Sequence, residues 1–281
     1  MIRLVRPYLT HPLVAVGGAV TLLWLVLALF APLLAPFDPL KTILPLARPL
    51  TPAPGGGTLW LGTDMLGRDI LSRLIYGART VVLYSTLATL SAYAVGIALG
   101  LSAGYLRGRV DAALSFLANV VLSFPVLVLY IVIIVVIGAS PLNIILAVVF
   151  SSAPAIFRIV RALTIDIATR DFVQVARTQG EGSLRIMLVD ILPNATGPLA
   201  VDFCLRLGYT AITIGTLGFL GLGLPPPTPD WGTMVNEGKA MAIAFPHLVI
   251  FPCIAISSLM LGLSLLADGL KELSEAKGRG A

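Results

Sequence analysis

Residues Gly62 to Asp69 read Gly-Thr-Asp-Met-Leu-Gly-Arg-Asp, two carboxylates (Asp64 and Asp69) with Arg68 between them. Paired carboxylates can divide acid–base work. The same stretch is flanked by glycines, and Thr63 or Asp64 can cap a turn or a helix. The capping role is the simpler one. A second charged pair, Asp202 and Arg206, lies inside an apolar run at a spacing that puts both on one helix face. Charge inside a bilayer is costly and usually functional. The pair either neutralises itself near a membrane surface or faces a path taken by a charged solute. His11 and His247 are far apart and lack ligand partners, so each reads as a histidine at a membrane boundary. Cys204 and Cys253 sit in apolar runs without metal-ligand spacing and read as small buried hydrophobes. The chain has no glycine-rich phosphate loop, no His-Glu-x-x-His and no Ser/His/Asp set. It is not equipped to hydrolyse ATP by itself.

The elements that must position these residues are apolar. Of 281 residues, 57% are hydrophobic and 12% charged, with a mean hydropathy of +0.96. Soluble domains carry about twice that charged share, so the chain reads as an all-α integral membrane protein. The net charge of +5 does not mark a nucleic-acid binder, because the arginines stand at the ends of apolar runs and form no aromatic-interleaved patch. The N-terminus resembles a signal peptide, but the run from Leu13 to Ala35 is too long for one and reads as an uncleaved span. Further runs cover Thr80–Leu106, Ala112–Ala139, Pro141–Phe157, Gly197–Leu224 and Ala242–Ala267. That makes six transmembrane helices. With the N-terminus inside, twelve Lys and Arg fall on the inner side and six on the outer, leaving Arg206 within a span. The bias places both termini in the cytoplasm.

The spans imply an organisation in four parts. Residues 1–36 form a tail and the first helix, 37–79 an external segment, 80–269 the transmembrane core with an internal loop over 158–194, and 270–281 a cytoplasmic tail. Proline and glycine in the 37–79 segment predict extended chain and turns. A smaller proline-stiffened loop, Leu-Pro-Pro-Pro-Thr-Pro-Asp-Trp from Leu224 onward, joins the last two spans. Pro125, Pro154, Pro246 and Pro252 predict kinks. Gly96, Gly100 and Gly104 mark a face for close helix packing, as do Gly215, Gly218 and Gly221.

The internal loop is polar and glycine-broken. Asp171 and Gln174 fit a capping box, so a short helix should start after Asp171. Gly180 suits its left-handed end. Ser183 can cap a second helix that stops before Pro193. On the short helix Phe172, Val175, Ala176 and Gln179 are predicted to share one face. That face either enters a partner's groove or packs on the chain's own helix ends.

These residues carry a resemblance. Gln174-Val175-Ala176, Gly180 and Ile191-Leu192-Pro193 resemble the Glu-Ala-Ala loop of membrane subunits of binding-protein-dependent ABC importers. Residues 61–80, residues 219–238 and the segment Ala267-Asp268-Gly269-Leu270 are similar to the dipeptide, oligopeptide and nickel permeases of that family, with a long external segment like that of the C-type subunit. The resemblance spans about Leu13 to Leu270. Gln174 stands where the family has glutamate, and Val175 where it has alanine. Glutamine can hydrogen-bond but cannot form a charged contact.

The resemblance implies a type I ABC importer permease fold and several partners. These are a homologous second permease subunit, two cytoplasmic ATPase subunits that bind ATP and Mg, an extracytoplasmic solute-binding protein, and membrane lipid. It implies no cofactor in this chain. It implies coupling to the ATPases through Asp171, Phe172, Gln174, Val175, Ala176, Arg177 and Gly180, with Asp202 and Arg206 as candidates for the translocation path. Gly96, Gly100 and Gly104 could then face the second subunit. The cargo implied is a di- or oligopeptide, with nickel or another small solute as the alternative. An ion-driven secondary transporter would need internal repeats and midplane carboxylates, of which only Asp202 is a candidate. A membrane-embedded enzyme would need a catalytic constellation.

Overall fold

The structure, a computed structural model, describes residues 11–278, with side chains to residue 273. Arg3, Arg6 and Arg279 of the charge bias, the head of the signal-like N-terminus and the last residues of the C-terminal tail lie outside the described residues. Helix α1 (Pro12–Leu29) starts with Pro12 at its first position, where a missing N–H costs nothing. It ends before Ala35. Pro32 cannot continue the hydrogen-bond ladder, and the chain restarts as α2 (Ala31–Leu34).

The next span begins well before Thr80. Helix α3 (Ile70–Leu106) is capped by Asp69, whose Oδ2 accepts from Ser72 N at 2.8 Å and Ser72 Oγ at 2.6 Å. The third expected span is two helices, α4 (Gly108–Leu122) and α5 (Val126–Ile137), which meet at 87°. Pro125 explains the break, since it lacks an N–H and biases Phe124 away from the helical region. Helix α6 (Pro141–Ile167) runs past Phe157 and keeps Pro154 inside. After the short helix α7 (Asp171–Thr178), α8 (Ser183–Arg185) leads through a π stretch, Ile186–Ile191, into α9 (Leu192–Phe219).

The expected stop before Pro193 therefore does not occur. The wider π turn, in which Leu192 N–H reaches Met187 O, leaves room for a ring that would clash in a regular helix. The loop after α9 also differs from expectation, because it contains α10 (Trp231–Gly238). Helix α11 (His247–Gly278) closes the chain. Among the described residues, five helical segments are long and apolar enough to cross a membrane, or six if the bent α4–α5 pair counts as one span.

The chain divides into two compact units. The first comprises Met1–Thr86, Ile134–Ile144 and Cys204–Ala281. Here α1 lies against α11 so closely that a Cβ at Gly17 would fall 2.5 Å from Leu266 N. Trp24 Nε1 donates to Ser258 Oγ at 3.0 Å. Trp231 of α10 is fully buried. Its ring meets Trp24 edge-on at 4.7 Å, and its Nε1 donates to Leu74 O at 2.9 Å. Asp230 caps α10 by accepting from Thr233 N and Thr233 Oγ1, each at 2.9 Å. Cys253 is exposed, against the buried role expected of it, because α11 turns that side away from the core; Cys204 is half-buried.

Residues 37–69 belong to this unit and are built from turns around one small antiparallel pair, Thr51–Pro52 with Thr58–Leu59; the expected extended chain gives way to α3 from Ile70 onward. Isolated bridges join Thr42 to Arg68 and Thr63 to Asp69. Gly62 has φ +80°, and a Cβ there would fall 2.4 Å from Ala47 O, so the turn requires glycine. Asp64 Oδ1 holds the turn by accepting from Leu66 N and Arg68 N, each at 2.9 Å. Asp64 Oδ2 pairs with Arg68 Nε at 2.7 Å and with Arg73. Both arginines also reach Glu237 of α10, each at 2.8 Å. Two guanidiniums thus face two carboxylates, and Arg73 and Asp64 are buried. Asp64 and Asp69 serve turn, cap and ion-pair roles. Burial pushes the Asp69 and Asp230 carboxyls above the usual aspartate range, against the opposing pull of their hydrogen bonds from the Ser72 and Thr233 caps.

The second unit comprises Leu87–Ile133 and Ile145–Phe203. Within it Gly96, Gly100 and Gly104 of α3 meet α6 of the same chain. A Cβ at each would fall 2.6 Å from Ile156, Val160 and Thr164 respectively. The small-residue face is therefore spent inside the chain and is not left for a second subunit, because the α3–α6 approach already excludes any side chain there.

Candidate coupling helix and its mount

Helix α7 follows directly from the end of α6. Ala168 N bonds Thr164 O at 2.9 Å and Arg170 N bonds Ile167 O at 3.0 Å, so the turn between the helices is tight. Arg170 is the N-cap residue, with an extended backbone, and no side chain caps the helix. The capping box of Asp171 and Gln174 does not form. Asp171 is already helical, and Gln174 Nε2 turns back to donate to Ala168 O at 2.8 Å. That bond satisfies a carbonyl at the open end of α6. Asp171 still suits the first turn by charge, and Arg177 the last, each worth about 0.3–1 kcal/mol against the helix dipole.

The far end is as the sequence implies. Gly180 has φ +78°. Glu181 N–H reaches Ala176 O at 3.1 Å and Gly180 N–H reaches Arg177 O at 3.0 Å. This is a Schellman stop, which needs a left-handed residue at Gly180. Ser183 makes no capping bond. Gly182 occupies that place, and α8 is steadied instead by Glu181 and Arg185, paired at 2.6 Å.

The face of α7 is split differently from the expected one. Val173 is fully buried and Ala176 is 7% exposed, whereas Phe172 is 41% and Val175 51% exposed. Gln179 is also exposed. Ala176 thus leaves the expected outward set and joins Val173. The reason is that the α6–α7 turn points the Val173–Ala176 side into a core made of Ile156, Val160, Ile167, Ile186, Ile191 and Ala195, with Leu101 and Tyr93 of α3. Spacing put Phe172, Val175, Ala176 and Gln179 on one face, and the turn decides that Val173 and Ala176 are the buried pair. Arg177 is placed by a tyrosine, its guanidinium 4.5 Å from the Tyr105 ring centre and its Nε donating to Tyr105 Oη at 3.3 Å.

Packing on the chain's own helix ends accounts for only one side of the helix. One face of α7 is seated in its own chain, and the other presents Phe172 and Val175. Val173 and Ala176 share one buried cluster with residues of α3, α6 and the start of α9. Close-packed side chains transmit displacement rather than absorb it.

Deeper in the same unit, Tyr93 donates its hydroxyl to Asp202, and Tyr93 meets Phe203 edge-on at 5.2 Å. The spacing that pointed to Arg206 gave no hint of this tyrosine, a single polar tip in an uncharged run. Asp202 is half-buried, as is Arg206 one turn further along α9. Among the described residues no group of three or more His, Cys, Asp or Glu could hold a metal ion.

Comparison with known proteins bears on this geometry. Residues 96–279 match the family described as binding-protein-dependent transport system inner membrane component. The chain is 37% identical to the dipeptide transport system permease protein DppC of Haemophilus influenzae, over 93% of this chain and 90% of that one. It is 37% identical to the di/tripeptide transport system permease protein DppC of Pseudomonas aeruginosa, over 95% and 89%. It is 34% identical to the glutathione transport system permease protein GsiD of Pectobacterium atrosepticum, over 97% and 89%. Among solved structures it is similar in fold to a chain of the MetNI methionine ABC transporter in an inward-facing conformation. That match has a TM-score of 0.54 at 16% identity and covers 70% of this chain and 95% of that one.

Proposed function

The chain belongs to the binding-protein-dependent transport system inner membrane component family, and from that premise we propose that it imports di- or oligopeptides with both termini in the cytoplasm. A second, homologous permease subunit completes the pathway. Two cytoplasmic ATPase subunits bind ATP and Mg and dock on α7 and on its counterpart, and a solute-binding protein delivers cargo from outside. This chain contributes no hydrolytic chemistry. Asp171, Phe172, Gln174, Val175, Ala176, Arg177 and Gly180 form the coupling element. Phe172 and Val175 enter the ATPase groove, Val173 and Ala176 root the helix in the spans, and Gly180 fixes where it ends. Closure of the ATPase pair then moves α7 as a rigid rod and shifts the population between two access states. Gln174 acts as an internal brace rather than as a charged contact, because its amide is committed to Ala168. Asp202, held by Tyr93, and Arg206 offer charge to the termini of a passing peptide.

The observation that carries this reading is the exposed Phe172–Val175 pair on a helix rooted by Val173 and Ala176. A cysteine at position 175 in the intact complex, treated with a short bifunctional reagent, should cross-link to an ATPase subunit. Phe172→Ala should lower peptide uptake in proteoliposomes about ten-fold or more, as loss of an aromatic anchor does at an interface centre. Position 175 linking only to lipid or to its own chain through the ATP cycle would falsify the coupling role.

A further inference from the structure

A cleft of about 530 Å3 lies within the second unit, between α4 and α6 and closed at its side by α3 and α5. Its walls are apolar, among them Leu114, Leu117, Ala118, Phe150, Ala153 and Phe157. A water occupies about 30 Å3, and apolar cavities stay dry, so water is not the natural filling. Leu117 is 58% and Phe150 52% exposed, which leaves the cleft open to its surroundings. The open side lies on α6 and the α4–α5 pair, which have the length and hydropathy of membrane spans, and its apolar walls suit hydrocarbon.

One end of the cleft is strongly basic. Arg158 follows the lining residue Phe157, and its Nη2 donates to Asn119 Oδ1 at 2.7 Å, next to the lining residue Ala118. Arg158 is exposed and is steadied there by a neutral amide. A turn further on, Arg161 Nη2 donates to Asp111 Oδ2 at 2.7 Å and ties α6 to the start of α4. Arg107 and Arg109, both exposed, stand at that start. The carboxylate at Asp111 is already taken by Arg161, whereas Arg158 at the cleft edge has, among the described residues, only a neutral amide for a partner. A hydrocarbon slot edged by a guanidinium without a carboxylate is complementary to one amphiphile, an anionic phospholipid.

We propose that this cleft is a specific site for an anionic phospholipid, with an acyl chain along Leu114, Leu117, Phe150 and Phe157 and the phosphate on Arg158. The site braces α4 against α6, and it does so whatever the cargo. The test uses the intact transporter complex, reconstituted with phosphatidylglycerol or phosphatidylcholine and released for native mass spectrometry. Phosphatidylglycerol should be retained over phosphatidylcholine. Arg158→Gln should reduce retention about five-fold, the effect of one basic residue near an anionic surface, and Arg158→Lys should restore most of it. Leu114→Trp, which fills the slot without touching the arginines, should expel the lipid. If Leu114→Trp does not assemble, a photo-crosslinking residue at Leu117 decides the matter by labelling an acyl chain. Retention indifferent to headgroup charge or to Arg158 would overturn the proposal in favour of ordinary surrounding lipid. A Leu117 cross-link into another protein subunit would overturn it in favour of a subunit interface.

Discussion

The 37–79 segment and helix α7 are both short polar pieces in a greasy chain, and they are finished in opposite ways. In the first, charge is buried, although Leu50, Trp60 and Leu66 stay exposed. Asp64, Arg68, Arg73 and Glu237 satisfy one another, and Thr63, Asp69 and Ser72 are sealed beneath them. In the second, charge lies outside and an apolar pair is left uncovered. A buried ion network is weak evidence for net stability, but breaking one is costly because the orphaned charge stays buried. An exposed apolar pair on a rooted helix costs little to keep and is available to a partner. The contrast lies in where charge goes, sealed inside the fold in one piece and left at the surface in the other.

Several substitutions can break that contrast. The largest effect should come from Arg73→Ala, which leaves two carboxylates, Asp64 and Glu237, to share the single guanidinium of Arg68. Loss of one partner of a buried pair costs about 3–5 kcal/mol, so the thermal midpoint of the purified chain in detergent should fall sharply. An unchanged midpoint would mean the network is ornamental. Next comes Gly100→Val, whose Cβ would meet Val160 at 2.6 Å. Overpacking of this kind costs about 1–3 kcal/mol, and the same thermal measurement in detergent reads it.

A smaller effect concerns Asp69. Its carboxyl is raised by burial, so the folded state favours the protonated form. The stability this gives is complete below the ordinary aspartate value of about 3.9 and is lost as pH rises through the raised value. Asp69→Asn should therefore match the native chain at low pH and surpass it progressively as pH rises, read as the difference between two denaturation profiles. A constant difference across that window would show that the cap, not the proton, decides. The least effect on folding is expected at Phe172→Ala. Surface truncations stay within about 0.5 kcal/mol, so the thermal midpoint should hold while uptake collapses. A large drop in stability would show that Phe172 is part of the mount after all.

Much of this was legible in the residues. Uncharged runs of about 20 residues announce spans, and a glycine four residues past Ala176 announces the end of α7. Asp69 before Ile70 could have been read as the true start of α3, since Ser72 follows at capping distance. Other features were not legible. The stop expected at Pro193 rested on local propensity, and a π turn upstream removed the clash. The loop from Leu224 hid α10, because its four prolines masked the Asp230 cap three residues before Thr233, and the burial of Trp231 against Trp24 and the Leu74 carbonyl is a distant contact. Tyr93 could not be matched to Asp202 across 109 positions, because nothing local links them.

The sequence by itself determined that the chain lives in a bilayer, that it spans it several times, and that one polar rod interrupts the grease near Asp171. Hydrophobic length and glycine placement are local quantities, and they decide such matters without reference to distant residues. Tertiary structure alone decided which side of that rod is rooted, that Gly96, Gly100 and Gly104 are consumed within the chain, and that Asp202 answers to Tyr93. Each of those depends on where a second helix stands, and the position of a second helix is fixed by packing over the whole unit, not by any run of residues along the chain.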